Sequence, residues 1–345
     1  MDYRRSKLGR RRSWWGAKRH AKRLLAMRAP HALVRLAARL RPKLRRGGRL
    51  PAPAHLREVE GEAGGSRFVM LRPDRCIVAK ELYWGRGRRP RAEDQLALEI
   101  VAAAAARTDV LVDVGAYTGL FTVAATRANP ALRAHAFEIV PDNYRALFDN
   151  CVRNDVLDRV TLHHVGVGKP GARLRVPARS SGSALPDFYS SRLRFDTGVA
   201  IRFVALDSLL DKIPSGAAVT VKIDVEGTEA AVLRHGRRFL AEVRPLILCE
   251  VLPDSDPAPL AATLEPLGYR YGLVREGDVR TSARIEPDER YRDWLFLPGD
   301  PARELAGLAA RRPAAAAVSS GGLRSARSRP AAGPIPRSRS ARSRG

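Results

Sequence analysis

Between residues 110 and 251 short apolar runs alternate with segments of helical spacing, and a pattern that switches repeatedly between these two periods admits few architectures. The run 110–114 reads as a strand, followed by Gly115 and a helical stretch over 120–127. A strand over 134–137 precedes a helix over 141–153, and a third strand is expected over 160–167. Residues 168–200, rich in Gly, Ser, Pro and Arg, read as a loop or hairpin insertion. A strand over 201–205 leads into 206–210. The fourth main strand, 218–223, is followed by a helix over 226–238, and a fifth, 246–251, by a helix over 257–267. Two late strands, 269–274 and 294–297, close the pattern. Alternation of this kind implies a largely parallel sheet with helices on both faces. No internal repeat is visible.

Charge divides the chain more sharply than hydrophobicity does. Its 345 residues carry 62 Lys and Arg against 36 Asp and Glu, a net charge of +26. Residues 1–57 hold 19 basic and 1 acidic residue, and 301–345 hold 10 and 1, which leaves 33 basic against 34 acidic in 58–300. The basic excess thus belongs to the two ends, and the near-neutral middle disfavours a nucleic-acid-binding core. We expect a basic, partly amphipathic extension over 1–57, a lead-in over 58–108, a core over 109–298 carrying the insertion 168–200, and a disordered Arg/Ser/Pro/Ala-rich tail over 299–345.

Within the first segment Leu33, Leu36, Ala37, Leu40 and Leu44 recur at helical spacing among Arg35, Arg39, Arg41 and Lys43, Trp14 and Trp15 precede another run, Leu24, Leu25 and Met27, and Pro30 separates the two runs. Residues 14–44 therefore read first as a solvated extension, with peripheral contact with an anionic membrane as the alternative. Apolar stretches fall far short of the ~20 residues of a membrane span. The basic N-terminus lacks the apolar core of a secretory signal. Cys76, Cys151 and Cys249 are odd in number and far apart, so neither a disulfide framework nor a zinc site is expected. A cytoplasmic location, with membrane association through the basic segment, fits these features.

The most informative stretch is Asp113-Val114-Gly115-Ala116-Tyr117-Thr118-Gly119, at the turn between the first strand and its helix. Glycine lets backbone approach a ligand, and the helix start offers free N–H groups. Tyr117 occupies the second glycine position of a dinucleotide fingerprint, which argues against NAD. A strand-end acid beside a single tight turn suits a cationic ligand lacking a pyrophosphate, such as S-adenosylmethionine. A second acid, Glu138, ends the next strand at a spacing that suits a carboxylate accepting two ribose hydroxyls. Further on, Lys222-Ile223-Asp224-Val225-Glu226-Gly227-Thr228-Glu229 places three carboxylates at a strand's C-terminal end, where open α/β sheets bind ligands. A favourable charge at the following helix start accounts for Glu229 but poorly for Asp224.

These runs, with Ala136-Phe137-Glu138, Pro141-Asp142-Asn143-Tyr144, Val204-Ala205-Leu206-Asp207-Ser208-Leu209 and Arg244-Pro245-Leu246-Ile247-Leu248-Cys249-Glu250, make residues 75–298 resemble the FkbM family of methyltransferases. Tyr117 stands where Asn is common in that family, and Ile139 where Pro is common. The resemblance implies a Rossmann-like class I methyltransferase fold with a seven-stranded, mostly parallel sheet and helices on both faces; the basic tails flanking it lie outside the resemblance. It also implies S-adenosylmethionine as donor and O-methylation of a hydroxyl on a small molecule or glycan. The expected cofactor set is Asp113, Gly115, Ala116, Tyr117, Gly119, Glu138 and Asn143. The expected catalytic set is Asp224 as base or substrate anchor, Glu226 in support and His235 as a further candidate.

No resident metal is expected, although Asp224 and Glu250 offer oxygen ligands that suit Mg²⁺. The alternatives are an RNA methyltransferase, motivated by the net charge, and a non-catalytic, membrane-tethered binding protein on the same fold. Against the first, no N/D-P-P-Y/F/W run follows the fourth strand. His135, His163 and His164 read as structural or surface residues. Trp84 suits a pocket wall or core packing equally, and Ser180, Ser181 and Ser183 read as plain loop, with hydrogen bonding to substrate as the alternative.

Overall fold

The computed structural model describes residues 24–40, 50–177 and 198–309. Trp14, Trp15, Leu44 and the Ser180–Ser183 cluster lie outside the described residues, as do 41–49 and 310–345. In chain order the elements are α1 (Arg28–Leu40), β1 (Glu58–Ala63), β2 (Ser66–Leu71), α2 (Ile77–Gly85), α3 (Ala92–Ala105), β3 (Val110–Val114), α4 (Leu120–Ala128), β4 (Arg133–Phe137), α5 (Pro141–Arg153) and β5 (Val160–His163). They continue with β6 (Gly166–Val167), β7 (Arg173–Val176), β8 (Val199–Val204), β9 (Val219–Ile223), α6 (Glu229–Arg234), α7 (Arg237–Val243) and β10 (Leu246–Glu250). The last are α8 (Ala258–Leu264), β11 (Arg270–Val274), β12 (Val279–Ser282), β13 (Asp293–Leu297) and α9 (Pro301–Ala309).

The main sheet runs β12-β11-β13-β10-β9-β3-β4-β5. Strands β10, β9, β3, β4 and β5 are parallel neighbours, and β13 enters antiparallel between β10 and β11. The chain reverses strand order at β3, so the C-terminal ends of β3, β4 and β9 open onto one crevice. This is the expected Rossmann-like sheet with one strand more than the seven anticipated. The extra edge strand, β12, is short and largely exposed, which leaves no apolar signature to read.

Side-chain alternation sorts β3 between two cores. Leu111 joins Leu98, Leu120 and Leu132 under α3 and α4, while Val110, Val112 and Val114 join Val232, Leu233 and Phe239 under α6 and α7. Cys76, Cys151 and Cys249 are free and buried. Among the described residues no helix is long and apolar enough to cross a membrane.

Four expectations are corrected. The strand expected over 160–167 breaks after His163: β6 leaves the main sheet and pairs with β8, which also pairs with β7. The helix expected over 226–238 begins only at Glu229, because Glu226 and Gly227 have φ of +58° and +99°, outside helical space, and it breaks again at Gly236. The tail expected to be structureless from 299 instead forms α9, which buries Leu308 in the core. Pro30, expected to separate two runs, sits in the first turn of α1, where its missing N–H costs nothing.

Candidate active site

Gly115 and Gly119 are required by the fold before any ligand is considered. Gly115 has φ +82°, and a Cβ there would overlap the carbonyl oxygen of Asp224, so the β3 turn and the β9 turn pack backbone to backbone. Gly119 has φ +86° and precedes α4, where a Cβ would stand 2.5 Å from Leu147 Cδ1 on α5. Tyr117 takes φ +51°, a conformation that Asn tolerates better than an aromatic residue.

That turn presents its backbone to Glu138. The Tyr117 N–H donates to Glu138 Oε2 at 2.8 Å, and the Val140 N–H to Oε1 at 2.7 Å. The Asn143 side chain, at the start of α5, also hydrogen-bonds this carboxylate. With three donors on about four lone-pair sites, the carboxylate keeps room for one further donor. Burial raises the Glu138 pKa to about 7, against the lowering effect of those hydrogen bonds.

Lys222 organises the β9 side. Projecting from a strand that is otherwise apolar or Thr, its buried Nζ donates to the Gly115 carbonyl at 2.8 Å and lies 3.6 Å from Asp113 Oδ1 and 3.5 Å from Asp224 Oδ2. Asp113 is fully buried and accepts from the Thr122 hydroxyl at 2.7 Å through its other oxygen. The Asp113–Lys222 pair therefore locks β3 to β9 and directs the ammonium group to the base of Asp224.

Beyond the strand end the chain gathers carboxylates. Asp224, Glu226 and Glu250 each bring an oxygen within 4.8 Å of the others, a spacing at which a hard cation could be shared. Lys222 already supplies positive charge there, and protonation relieves the rest. Burial first, then the charges of Asp224 and Glu229, raise Glu226 to about 7. Burial, then Asp224 and Glu226, raise Glu250 to about 10. Across the sheet Asp293, paired with Glu250, is raised to about 7 by burial and by Asp94 and Asp224. Glu229 serves the loop itself, accepting the N–H groups of Gly227 at 3.0 Å and Val225 at 3.3 Å.

The two ends meet in one cavity of about 250 Å³. Gly115, Tyr117, Glu138, Asn143, Asp224 and Glu226 line it on the sheet side, and the β6–β8 region closes it with Val167, Leu174, Phe203 and Arg173. Of the expected residues, then, these six are brought together. Asp113 is held below the cavity in its ion pair. Ala116 and Gly119 are absent from its lining, the first nearly buried and the second spent on packing against α5. His235 caps the end of α6 and is also absent from the lining.

Sequence reasoning passed over Lys222 as a motif letter, although a lone lysine in V-T-V-K-I is itself a signal of a buried partner. It gave no role to Arg173, Leu174 and Phe203, because the hairpin carries no readable motif. Trp84 is core, donating its Nε1–H to the Leu50 carbonyl. His135 and His163 stack beside Phe137 off the cavity, and His164 bonds the Ile139 carbonyl.

Residues 113–271 match the model of the Methyltransferase FkbM domain. Over 99 residues the chain is 36% identical to a tRNA (guanine(37)-N(1))-methyltransferase of Anopheles gambiae, covering 28% of this chain and 16% of that relative. Among solved structures, a methyltransferase FkbM from Methylobacillus flagellatus KT is 21% identical, with TM-score 0.37, covering 55% of this chain and 43% of that one. An O-methyltransferase from Bacillus cereus in complex with SAH is 11% identical, with TM-score 0.34, covering 59% and 78%.

Proposed function

We propose that this chain, whose residues 113–271 form a methyltransferase FkbM domain, transfers a methyl group from S-adenosylmethionine to a hydroxyl of a small molecule or glycan. The observation that carries the reading is a single cavity bordered by Glu138 at the end of β4 and by Asp224 and Glu226 after β9. The donor set fits S-adenosylmethionine. Glu138 keeps acceptor capacity for a ribose hydroxyl, and Phe137, Ile139, Val167 and Phe203 offer apolar walls for a base. Three carboxylates against one arginine, Arg173, favour a cation over a phosphate. When bound, the donor supplies an electrophilic methyl on a positively charged sulfur.

This chain's residues supply positioning and a proton acceptor. Glu226, raised to about 7, is poised to take the acceptor's hydroxyl proton near neutrality, a contribution of ~10²–10⁴-fold. Asp224, held 3.5 Å from Lys222, anchors the acceptor. Leu174 of β7 and Phe203 of β8 add apolar walls to the cavity. This assignment exchanges the roles expected for Asp224 and Glu226, because burial raises the proton affinity of Glu226. His235, away from the cavity, takes no part.

The partial similarity to a tRNA methyltransferase and the +26 charge favour RNA as a second reading, against the acidic cavity lining. Transfer of labelled methyl to panels of sugars, hydroxylated small molecules and tRNA decides between them. A methyl ether on a hydroxyl, lost in Glu226→Gln, supports the proposal. Label in tRNA bases, or a donor bound without turnover on any panel, overturns it.

A further inference from the structure

Helix α1 carries two apolar faces, and the fold uses one. His31, Val34 and Ala38 share the inner face and are buried against Tyr83 and Trp84, with His31 Nε2 3.0 Å from the Tyr83 hydroxyl. Leu33, Leu36 and Leu40 share the opposite face and are 69%, 52% and 76% exposed. Leu24, Leu25 and Met27, just before the helix, are exposed as well. A helix anchored by one face ordinarily turns polar residues outward. Here six large aliphatic side chains face solvent instead, beside an exposed Arg35.

We propose that this outer face of α1 docks the protein onto an anionic lipid surface. Charge selects the occupant: residues 1–57 hold 19 basic residues and 1 acidic, against 10 and 1 in 301–345 and a near-neutral 58–300, so the larger of the two basic ends adjoins this helix. Side-chain chemistry agrees. The exposed set is Leu and Met only, with no aromatic or amide group to define a protein pocket, and 13 helical residues extend about 20 Å. An aliphatic stripe of that length, flanked by basic residues, lies in the headgroup region with its apolar side chains at the acyl boundary. Because the inner face is fastened to Tyr83 and Trp84, docking brings the folded domain to the membrane without unfolding the helix.

Full-length protein should co-sediment with vesicles of phosphatidylcholine containing about one third phosphatidylserine, and much less with phosphatidylcholine alone or at high salt. Leu33→Ser/Leu36→Ser/Leu40→Ser alters exposed positions without changing charge, and should bind the anionic vesicles at least about tenfold more weakly. As a second measurement, Leu36→Cys carrying an environment-sensitive fluorophore should shift to the blue on these vesicles. Its thiol reacts selectively because Cys76, Cys151 and Cys249 are buried. Absence of vesicle binding overturns the proposal, as do equal binding to neutral vesicles, full binding by the triple variant, or a label whose emission does not move. Loss of a dimer in the triple variant, with no vesicle binding by the parent, assigns the face to a second copy of the chain and overturns it equally.

Discussion

Replacing Glu226 by Gln removes one negative charge from the cluster that Asp224, Glu229 and Glu250 share, while keeping size and hydrogen-bonding capacity. Raising a carboxyl from an ordinary 4.5 to about 7 makes its ionised form costly by about 3 kcal/mol at most. Because the side chain is only partly buried, solvent screening brings this to about 1–2 kcal/mol. The folded protein holds this proton more tightly than the unfolded chain, so the group's contribution is most favourable below pH 4.5. It falls as pH rises toward 7 and stays at its full penalty above that value. Glu226→Gln is free of this dependence. Urea and thermal unfolding should therefore show parent and variant alike below pH 4.5, diverging between pH 4.5 and 7, with the variant more stable by about 1–2 kcal/mol at pH 8. The same variant should lose most turnover, so stability and activity move in opposite directions. A variant less stable than the parent at pH 8, or two curves parallel across the whole range, refutes the electrostatic reading of this residue.

Two further substitutions test how the site is held. Gly115→Ala places a methyl group into the Asp224 carbonyl at a left-handed φ, and should destabilise the fold by about 3 kcal/mol or more in urea unfolding. Lys222→Met strands the Asp113 charge at zero exposure and should cost about 3–5 kcal/mol, much of which Asp113→Asn in the same chain should recover.

How far the sequence could be read depended on local punctuation. Strand β3 and helix α5 lie where expected, because a run of Val and Leu ends at Gly115 and because Pro141 starts its helix cleanly. The helix after β9 differs from the expected span at both ends, since Glu226 in left-handed space and the break at Gly236 leave no mark in residue spacing. Strand β12, Val-Arg-Thr-Ser, is an exposed edge strand without an apolar period. At the site, the Glu138 and Asp224–Glu226 segments were legible as strand-end acids. Asp113 was assigned to the ligand because it also ends a strand, and only the three-dimensional position of Lys222 shows that it is spent on an ion pair. Hairpin residues such as Phe203 reach the cavity through tertiary packing, which no local pattern encodes.

Calorimetric titration of the full-length chain with S-adenosylmethionine, beside Glu138→Gln, is the most direct test of the central claim. The backbone donors of Tyr117 and Val140 bond different carboxylate oxygens, so the variant's single carbonyl oxygen serves only one of them, and the charged acceptor offered to the ribose is removed. Hydrogen bonds to a charged group contribute about 1.5–3 kcal/mol, so a folded variant should bind about tenfold to a hundredfold more weakly than the parent at one site per chain. No binding by the parent, or equal affinity in both proteins, contradicts a donor site built on Glu138.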